Sequence, residues 1–302
     1  MGRIAATRRL LAIAAFVAGV AGLMLNETLR DAKPASALVF YALPLPISGL
    51  SLLIAALLFR ARFWRMMVAL AGIATLSIWL FQSYGMAYPA KAKWKVIEWN
   101  MGRPRHPFEP LLSLVRMERP DVVVLIESGD ISPAMTAYYQ TALPGYRVVP
   151  KSKELTCIVR GKMLGSNVRG LVNGSDVARF HVEVDGERMN VFAADLGASP
   201  FMPRRPQIDM LAAFARVGPR TIVMGDFNTP LESAQLDQMR ESFTEARSGP
   251  HHGFRETWPY NLPLLSLDQI WLSRDLEPVF STRRLGFASD HAPVIVSFNP
   301  VK

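Results

Sequence analysis

The sequence predicts an α/β protein, a mixed α/β sandwich preceded by three membrane-spanning helices. Two observations carry this. The first 90 residues contain three long stretches without a charge, and from Lys95 onward the chain breaks into short apolar runs separated by turns and amphipathic segments. The expected organisation is a membrane anchor over 1–90 and a globular domain over 91–302.

The anchor follows from the charge-free windows. Between Arg9 and Glu27 lie 17 uncharged residues, between Lys33 and Arg60 lie 26, and between Arg65 and Lys91 lie 25. A helix crossing the hydrocarbon core needs about 17–25 apolar residues, so spans are expected at about 10–26, 37–59 and 66–84. With 50% apolar residues and a mean hydropathy of +0.16, the chain is neither disordered nor an ordinary soluble enzyme. A signal peptide is the competing reading of the first window. Its small-residue stretch Ala35-Ser36-Ala37 lies roughly ten mostly polar residues beyond the apolar core, too far for a good cleavage site, so the helix is read as retained. The windows hold no ionisable residue, which speaks against a transporter or channel.

Charge is concentrated in the same region. Residues 1–95 hold 11 Lys+Arg and 2 Asp+Glu, whereas residues 96–302 hold 23 of each. The globular part therefore has no net basic excess, which weakens a nucleic-acid partner, because backbone binding needs several Lys/Arg contacts. Arg3, Arg8 and Arg9 precede the first window, and Arg60, Arg62 and Arg65 follow the second. The positive-inside rule puts both clusters in the cytoplasm. The N-terminus is then cytoplasmic and the globular domain extracytoplasmic, in a multi-pass protein of a bacterial-type inner or plasma membrane. Lys91, Lys93 and Lys95 read as a membrane-surface collar. The single cysteine, Cys157, forms no intrachain disulfide and lies in an apolar stretch that reads as core.

In the globular part, Val96–Asn100 reads as a strand, Phe108–Met117 has helical spacing, and Asp121–Glu127 is a buried strand. Thr156–Arg160, Val177–Val184 and Met189–Asp195 are further strands. A helix over Arg205–Arg216 leads to strand Thr221–Met224, and Asp268–Leu272 and Pro293–Phe298 close the pattern. Alternating strands and helices followed by strand-rich stretches predict the sandwich.

Polar residues sit at the ends of these strands: Asn100, Glu127, Asp226 with Asn228, and Asp290-His291 before the last strand. Carboxylates at the ends of adjacent strands converge on one mouth of a sheet. Like charges raise each other's pKa, and a hard divalent cation removes that cost. Oxygen donors from Asp, Glu and Asn suit Mg²⁺, Mn²⁺ or Ca²⁺ rather than zinc. His291 adds a group that titrates near neutrality.

The ordered set Trp99-Asn100, Leu125-Ile126-Glu127, Gly225-Asp226-Phe227-Asn228, Asp268-Gln269-Ile270 and Ser289-Asp290-His291 resembles the endonuclease/exonuclease/phosphatase superfamily over about Lys95 to Phe298. The resemblance implies a four-layered α/β sandwich and Mg²⁺- or Mn²⁺-dependent phosphoester hydrolysis. Glu127 resembles the principal metal ligand, with Asn100 beside it and Asp290 at the metal directly or through water. Asp226 matches the residue that orients or deprotonates water, and Asn228 the one that holds the phosphate. His291 would stabilise charge on the phosphate, and Asp268 would orient its imidazole.

Two departures stand out. Many family members carry a histidine where this chain has Asp195, and Gln269 replaces a histidine after Asp268. Asp195 cannot supply a cationic phosphate contact. It would join the metal site, pair with Arg204 or Arg205, or alter leaving-group chemistry. His251 and His252 read as an exposed loop, His106 and His181 receive no role, and Thr257-Trp258-Pro259 reads as packing. The expected function is a membrane-anchored, metal-dependent phosphoesterase acting on nucleic acid, a phospholipid or a small phosphoester. The lipid bilayer is its partner, and no obligate protein partner is expected. The alternative is a catalytically silent binding module, which Asp195 favours and the intact remaining motifs oppose.

Overall fold

A computed structural model describes residues 2–104, 108–129, 132–151, 154–259, 261–285 and 288–301. The chain forms two compact units. The first comprises Met1–Tyr84 with Ser199–Pro203 and Glu232–Gln235; the second comprises Gly85–Ala198, Arg204–Leu231 and Leu236–Lys302.

The first unit contains helices α1 (Gly2–Glu27), α2 (Pro34–Ala42), α3 (Leu45–Leu58) and α4 (Arg62–Ser83). Helices α1 and α4 are long and apolar enough to cross a membrane. The expected second span, 37–59, is not one helix: α2 and α3 meet at 68°. Pro44 has no N–H to donate and its ring clashes with the preceding turn, and a residue before proline is pushed out of the helical region. Leu43 accordingly sits at φ −124°, ψ 58°. The 14 residues of α3 rise only about 21 Å, short of a roughly 30 Å hydrocarbon core. The first unit therefore has two helices of spanning length and one bent pair, which a hydropathy window reads as a third span.

Small residues bring these helices together. A Cβ on Gly22 would lie 2.0 Å from the Ser48 hydroxyl oxygen, and one on Gly72 would lie 3.0 Å from the Gly49 carbonyl oxygen. Close backbone approach of this kind replaces the missing hydrophobic drive between helices in lipid. Asp31 is fully buried in the same unit. Its carboxylate accepts from the Ser233 hydroxyl at 2.5 Å, the Tyr41 hydroxyl at 2.8 Å and the Ala234 N–H at 2.9 Å.

The second unit is built from strands β1 (Tyr84–Met86), β2 (Trp94–Asn100), β3 (Val122–Ile126), β4 (Arg147–Lys151), β5 (Leu155–Val159), β6 (Lys162–Gly170), β7 (Asp176–Val184), β8 (Glu187–Asp195), β9 (Thr221–Asp226), β10 (Phe243–Glu245), β11 (His251–Phe254), β12 (Asp268–Ser273), β13 (Leu276–Arg283) and β14 (Val294–Pro300). They form one mixed sheet in the order β1-β11-β13-β14-β2-β3-β5-β4 and a second in the order β10-β12-β9-β8-β7-β6. Helices α5 (Glu109–Glu118) and α6 (Pro133–Ala142) cover the first sheet through Leu111, Leu112 and Tyr139, and helices α7 (Arg205–Ala215) and α8 (Asp237–Ser242) cover the second through Ile208, Leu211 and Met239. The architecture is the four-layered α/β sandwich that the motifs imply. His251 and His252, expected in a loop, instead begin β11 and pair with Ser281 and Thr282 of β13.

Strand parity sets up everything that follows. On β2, Trp94 and Val96 face the core between the sheets while Ile97 and Trp99 face the helices. The same alternation places Ile222 and Met224 of β9, Ile270 and Leu272 of β12, and Val191 and Ala193 of β8 between the sheets. Side chains two apart share a face, so Glu98 and Asn100, Asp226, Asp268, and Asp195 are the polar members of these inward-facing sets. Each buried aliphatic side chain in this layer contributes about 1.5–3 kcal/mol, which is what holds the polar end together. Lys93 and Lys95, expected as a membrane collar, pair with Glu187 and Glu118 of the same unit, each at 3.2 Å. Cys157 is buried, and burial pushes its thiol pKa up.

Candidate active site

Four aspartates stand in register across four neighbouring strands: Asp176 on β7 opposite Asp195 on β8, Asp195 opposite Asp226 on β9, and Asp226 opposite Asp268 on β12. Strands lie about 4.8 Å apart, so this is a row of carboxylates at one end of the second sheet. All four lie at the ends of inward-facing sets, Asp176 continuing that of Ala178, Phe180, Val182 and Val184 on β7. The first sheet brings Asn100 to the row. Its amide nitrogen donates to Asp226 Oδ2 at 3.0 Å, while its oxygen accepts from the Gly102 N–H at 3.0 Å.

Asp226 is the hub. Its Oδ1 accepts from the Asn228 N–H at 2.8 Å, and His291 Nε2 lies 3.9 Å from its Oδ2. Asn228 adopts φ 48°, a left-handed conformation that Asn tolerates better than most residues, and its amide donates to the Leu196 carbonyl at 2.8 Å. The strand brings Asp226 here only because residue 225 is glycine: a Cβ there would lie 1.9 Å from the Ala194 carbonyl oxygen. Burial, reinforced by Asp268, pushes the Asp226 carboxyl up to about 6, against His291 and the bonds from Asn228 and Asn100.

Asp268 is fully buried and bonds His291 Nδ1 at 2.8 Å through Oδ2. Burial pulls the imidazole down, but Asp268, by charge and hydrogen bond, with Asp226 and Asp290, more than reverses this and raises it to about 10. The Asp268 carboxylate therefore favours the protonated ring. Its backbone is pinned as well: the Ser289 hydroxyl donates to the Asn100 carbonyl at 2.8 Å and accepts from the His291 N–H at 3.1 Å, and Trp99 Nε1 donates to the His291 carbonyl at 3.0 Å.

The residues expected to hold a metal each have a partner of their own. Glu127 follows β3 at φ 48°, and its Oε2 accepts from Arg103 at 2.6 Å; Arg103 also pairs with Glu154 at 2.6 Å. Asp290 Oδ2 accepts from Trp258 Nε1 at 3.0 Å. The tightest group of possible ligand atoms is Asp226, Asp268 and His291, all within 4.8 Å of one another. Carboxylate and amide oxygens such as those of Asn100, Glu127 and Asp290 are the donor type a hard divalent ion takes.

Asp195 lies beside Asp226, and burial, with Asp226 and Glu127, pushes its carboxyl up to about 7, Arg103 opposing. The arginines considered for it have partners elsewhere. Arg204 turns to the Gly197 and Ala198 carbonyls, and Arg205 pairs with Asp237 at 3.1 Å. Gln269, at the other departure, ties down the loop after Asn228 by donating to the Thr229 carbonyl at 2.6 Å.

Sequence reasoning missed several contributors. Thr257 accepts from the Asp268 N–H at 3.2 Å. Trp258 does more than pack, because its indole fixes Asp290 and its ring lies 6.5 Å from that of His291. Glu98 is fully buried, neither of its carboxylate oxygens has a hydrogen-bond partner among the described residues, and burial, with Asp268 and Asp226, holds its pKa well above the usual range, Arg247 opposing. Its signal was a charge at an inward strand position. His181 lies on β7 away from the row, and His106 lies outside the described residues.

The second sheet's acid row, the buried Asp268–His291 pair and the strand-end amides of Asn100 and Asn228 lie in a four-layered sandwich. The family model described as "Endonuclease/Exonuclease/phosphatase family" matches residues 97–291, so the chain belongs to that family, whose members are hydrolases of phosphoester bonds. Among solved structures, a mannosyl-6-phosphatase of Bacteroides thetaiotaomicron is similar at 14% identity and TM-score 0.56, over 68% of this chain and 99% of that one. The human Nocturnin catalytic domain with bound sulfate is similar at 17% and 0.57, over 73% and 98%. TDP2 of D. rerio with a single-strand DNA product is similar at 18% and 0.54, over 68% and 98%. At such identities the likeness is one of fold. No curated protein matches the sequence.

Proposed function

We propose that the chain is a membrane-anchored, divalent-metal-dependent phosphoesterase that hydrolyses a phosphodiester or phosphomonoester by in-line attack of water. The observation that supports this best is the bonding of Asp226, held by Asn100 from the opposite sheet and by Asn228, beside His291. Asp226 orients the attacking water and accepts its proton, which a carboxylate with a pKa near 6 does at neutral pH. His291, held protonated by Asp268, stabilises negative charge developing on the phosphoryl oxygens. Asn228 positions the phosphate with its amide. Glu127 and Asn100, with Asp290 directly or through water, would hold Mg²⁺ or Mn²⁺, which when bound polarises the phosphoryl oxygen.

Asp195 withdraws a positive charge from this site, so the substrate's phosphate relies on His291 and the cation. A phosphatase and a structure with a DNA product among the fold neighbours are compatible with both ester classes. The anchor is supported by the two apolar helices of spanning length and by the bent pair α2–α3; with that pair crossing as one span, the arginine clusters favour a cytoplasmic N-terminus with the catalytic unit outside.

The test is hydrolysis by the full chain in detergent on bis-p-nitrophenyl phosphate, p-nitrophenyl phosphate, single-stranded DNA and sphingomyelin. Turnover of at least one substrate that requires Mg²⁺ or Mn²⁺ and is abolished by EDTA is expected. Activity indifferent to EDTA would overturn the metal assignment, and no turnover on any of the four would overturn the catalytic one. Resistance to alkaline carbonate extraction from membranes tests the anchor.

A further inference from the structure

The two basic clusters of the sequence meet in the first unit. Between the N-terminal part of α1 and the C-terminal end of α3 lies a cavity of about 630 Å³. Arg8, Arg9 and Arg60 line it together with the apolar Ile13, Leu58 and Phe59. Arg8 Nε donates to the Leu58 carbonyl at 2.9 Å. That carbonyl is one of the terminal groups an α-helix leaves without an internal partner, so the bond fixes the arginine at the cleft while its other N–H groups remain available.

Among the described residues, no carboxylate forms an ion pair with Arg8, Arg9 or Arg60. The acids of Met1–Tyr84 are Glu27 and Asp31, and Glu27 lies 19 residues beyond Arg8, about 28 Å along the helix. Three arginines thus share a cleft with aliphatic and aromatic lining. The cleft sits where the apolar stretch of α1 begins and that of α3 ends, flanked by Leu10 and Leu57, which are 68% and 77% exposed.

We propose that this cleft binds the headgroup of an anionic phospholipid, with its phosphate against the arginines and an acyl chain along Ile13, Leu58 and Phe59. Arginine pairs with phosphate through two parallel N–H bonds, and basic pockets between membrane helices are suited to anionic headgroups. The apolar lining selects a lipid over a free anion. The site rests on the reading of α1 and α3 as membrane-embedded.

The full chain in neutral detergent is titrated with dihexanoyl phosphatidylglycerol, dihexanoyl phosphatidylcholine or inorganic phosphate while thermal unfolding is followed. Only phosphatidylglycerol is expected to raise the melting temperature. Arg8→Gln/Arg9→Gln/Arg60→Gln should weaken its apparent affinity on the order of 100-fold, each charge contributing roughly fivefold. Arg60→Gln alone, the fallback if the triple variant does not fold, should weaken it about fivefold. Arg62→Gln/Arg65→Gln, outside the lining, should bind as the parent does. Equal shifts with the zwitterionic lipid, a shift with phosphate alone, or arginine variants that bind as the parent does would each overturn the site. Release of the chain by alkaline carbonate would defeat the membrane reading itself, whereas retention without lipid preference would defeat only this site.

Discussion

The Asn100 amide donates to the Asp226 carboxylate across the two sheets, at 3.0 Å. The bond joins the ends of β2 and β9, so the candidate catalytic carboxylate is also an inter-sheet tie. Asn100→Ala removes a buried donor from a buried carboxylate, which costs about 1–3 kcal/mol. It also frees Asp226 to rotate. Urea unfolding should show that loss of stability, with hydrolysis falling about 10²-fold or more. Full activity with unchanged stability would refute the tie.

The pH profile follows from two shifted groups. Asp226, near 6, must be ionised to accept a proton, so the rate rises as it ionises. His291, near 10, must be protonated to meet the phosphate, so the rate falls through that value. A broad bell is expected for kcat/KM, its alkaline limb near 10 and its acid limb below 6, because the cation that turnover requires lowers it. For stability, a histidine raised above its unfolded 6.5 stabilises the fold fully below about 6.5, and this contribution disappears as pH rises through about 10. His291→Asn should therefore cost more stability at pH 6 than at pH 10.5.

Asp195 has the opposite sign. Its carboxyl is raised from 3.8 to about 7, so its ionised form destabilises the fold, with a penalty that grows above 3.8 and is complete above about 7. Asp195→Asn should raise the melting temperature, measured without divalent ions, and raise it more at pH 8 than at pH 5. An equal gain at both would show that charge is not the cause.

Gly225→Ala should be damaging out of proportion to its size. The added Cβ meets a backbone carbonyl oxygen at 1.9 Å and cannot be relieved by a rotamer change, so a loss of about 3 kcal/mol or more is expected. It would displace Asp226 as well. Thermal unfolding near the wild-type temperature would contradict this.

Much of this site was legible because strand parity is. Asp226 and Asp268 each continue an inward-facing apolar set, and His291 needed a buried acceptor that the motif order supplied. What escaped had physical reasons. The row partner Asp176 opens a strand with a clean inward set, Ala178, Phe180, Val182 and Val184, but the turn-forming Gly174-Ser175-Asp176 before it reads as a loop. The pairing of Arg103 with Glu127 depends on a left-handed turn at Gly102 and Arg103, φ 64° and 58°, that composition does not announce. Strand β6, KMLGSNVRG, is a half-exposed strand without an apolar run to betray it. The break between α2 and α3 was written in Pro44 and Pro46, but hydropathy outweighed it. Glu98 was visible only as an anomaly, a charge inside a strand with no partner on either side in sequence.

The most direct test of the central claim compares kcat/KM of the full chain with those of Asp226→Ala and His291→Ala on one phosphodiester at saturating Mg²⁺ or Mn²⁺. Each single variant should lose about 10²-fold or more, the scale of removing a general base or a charge-stabilising donor, while remaining folded by circular dichroism. Wild-type rates in both folded variants would contradict the account.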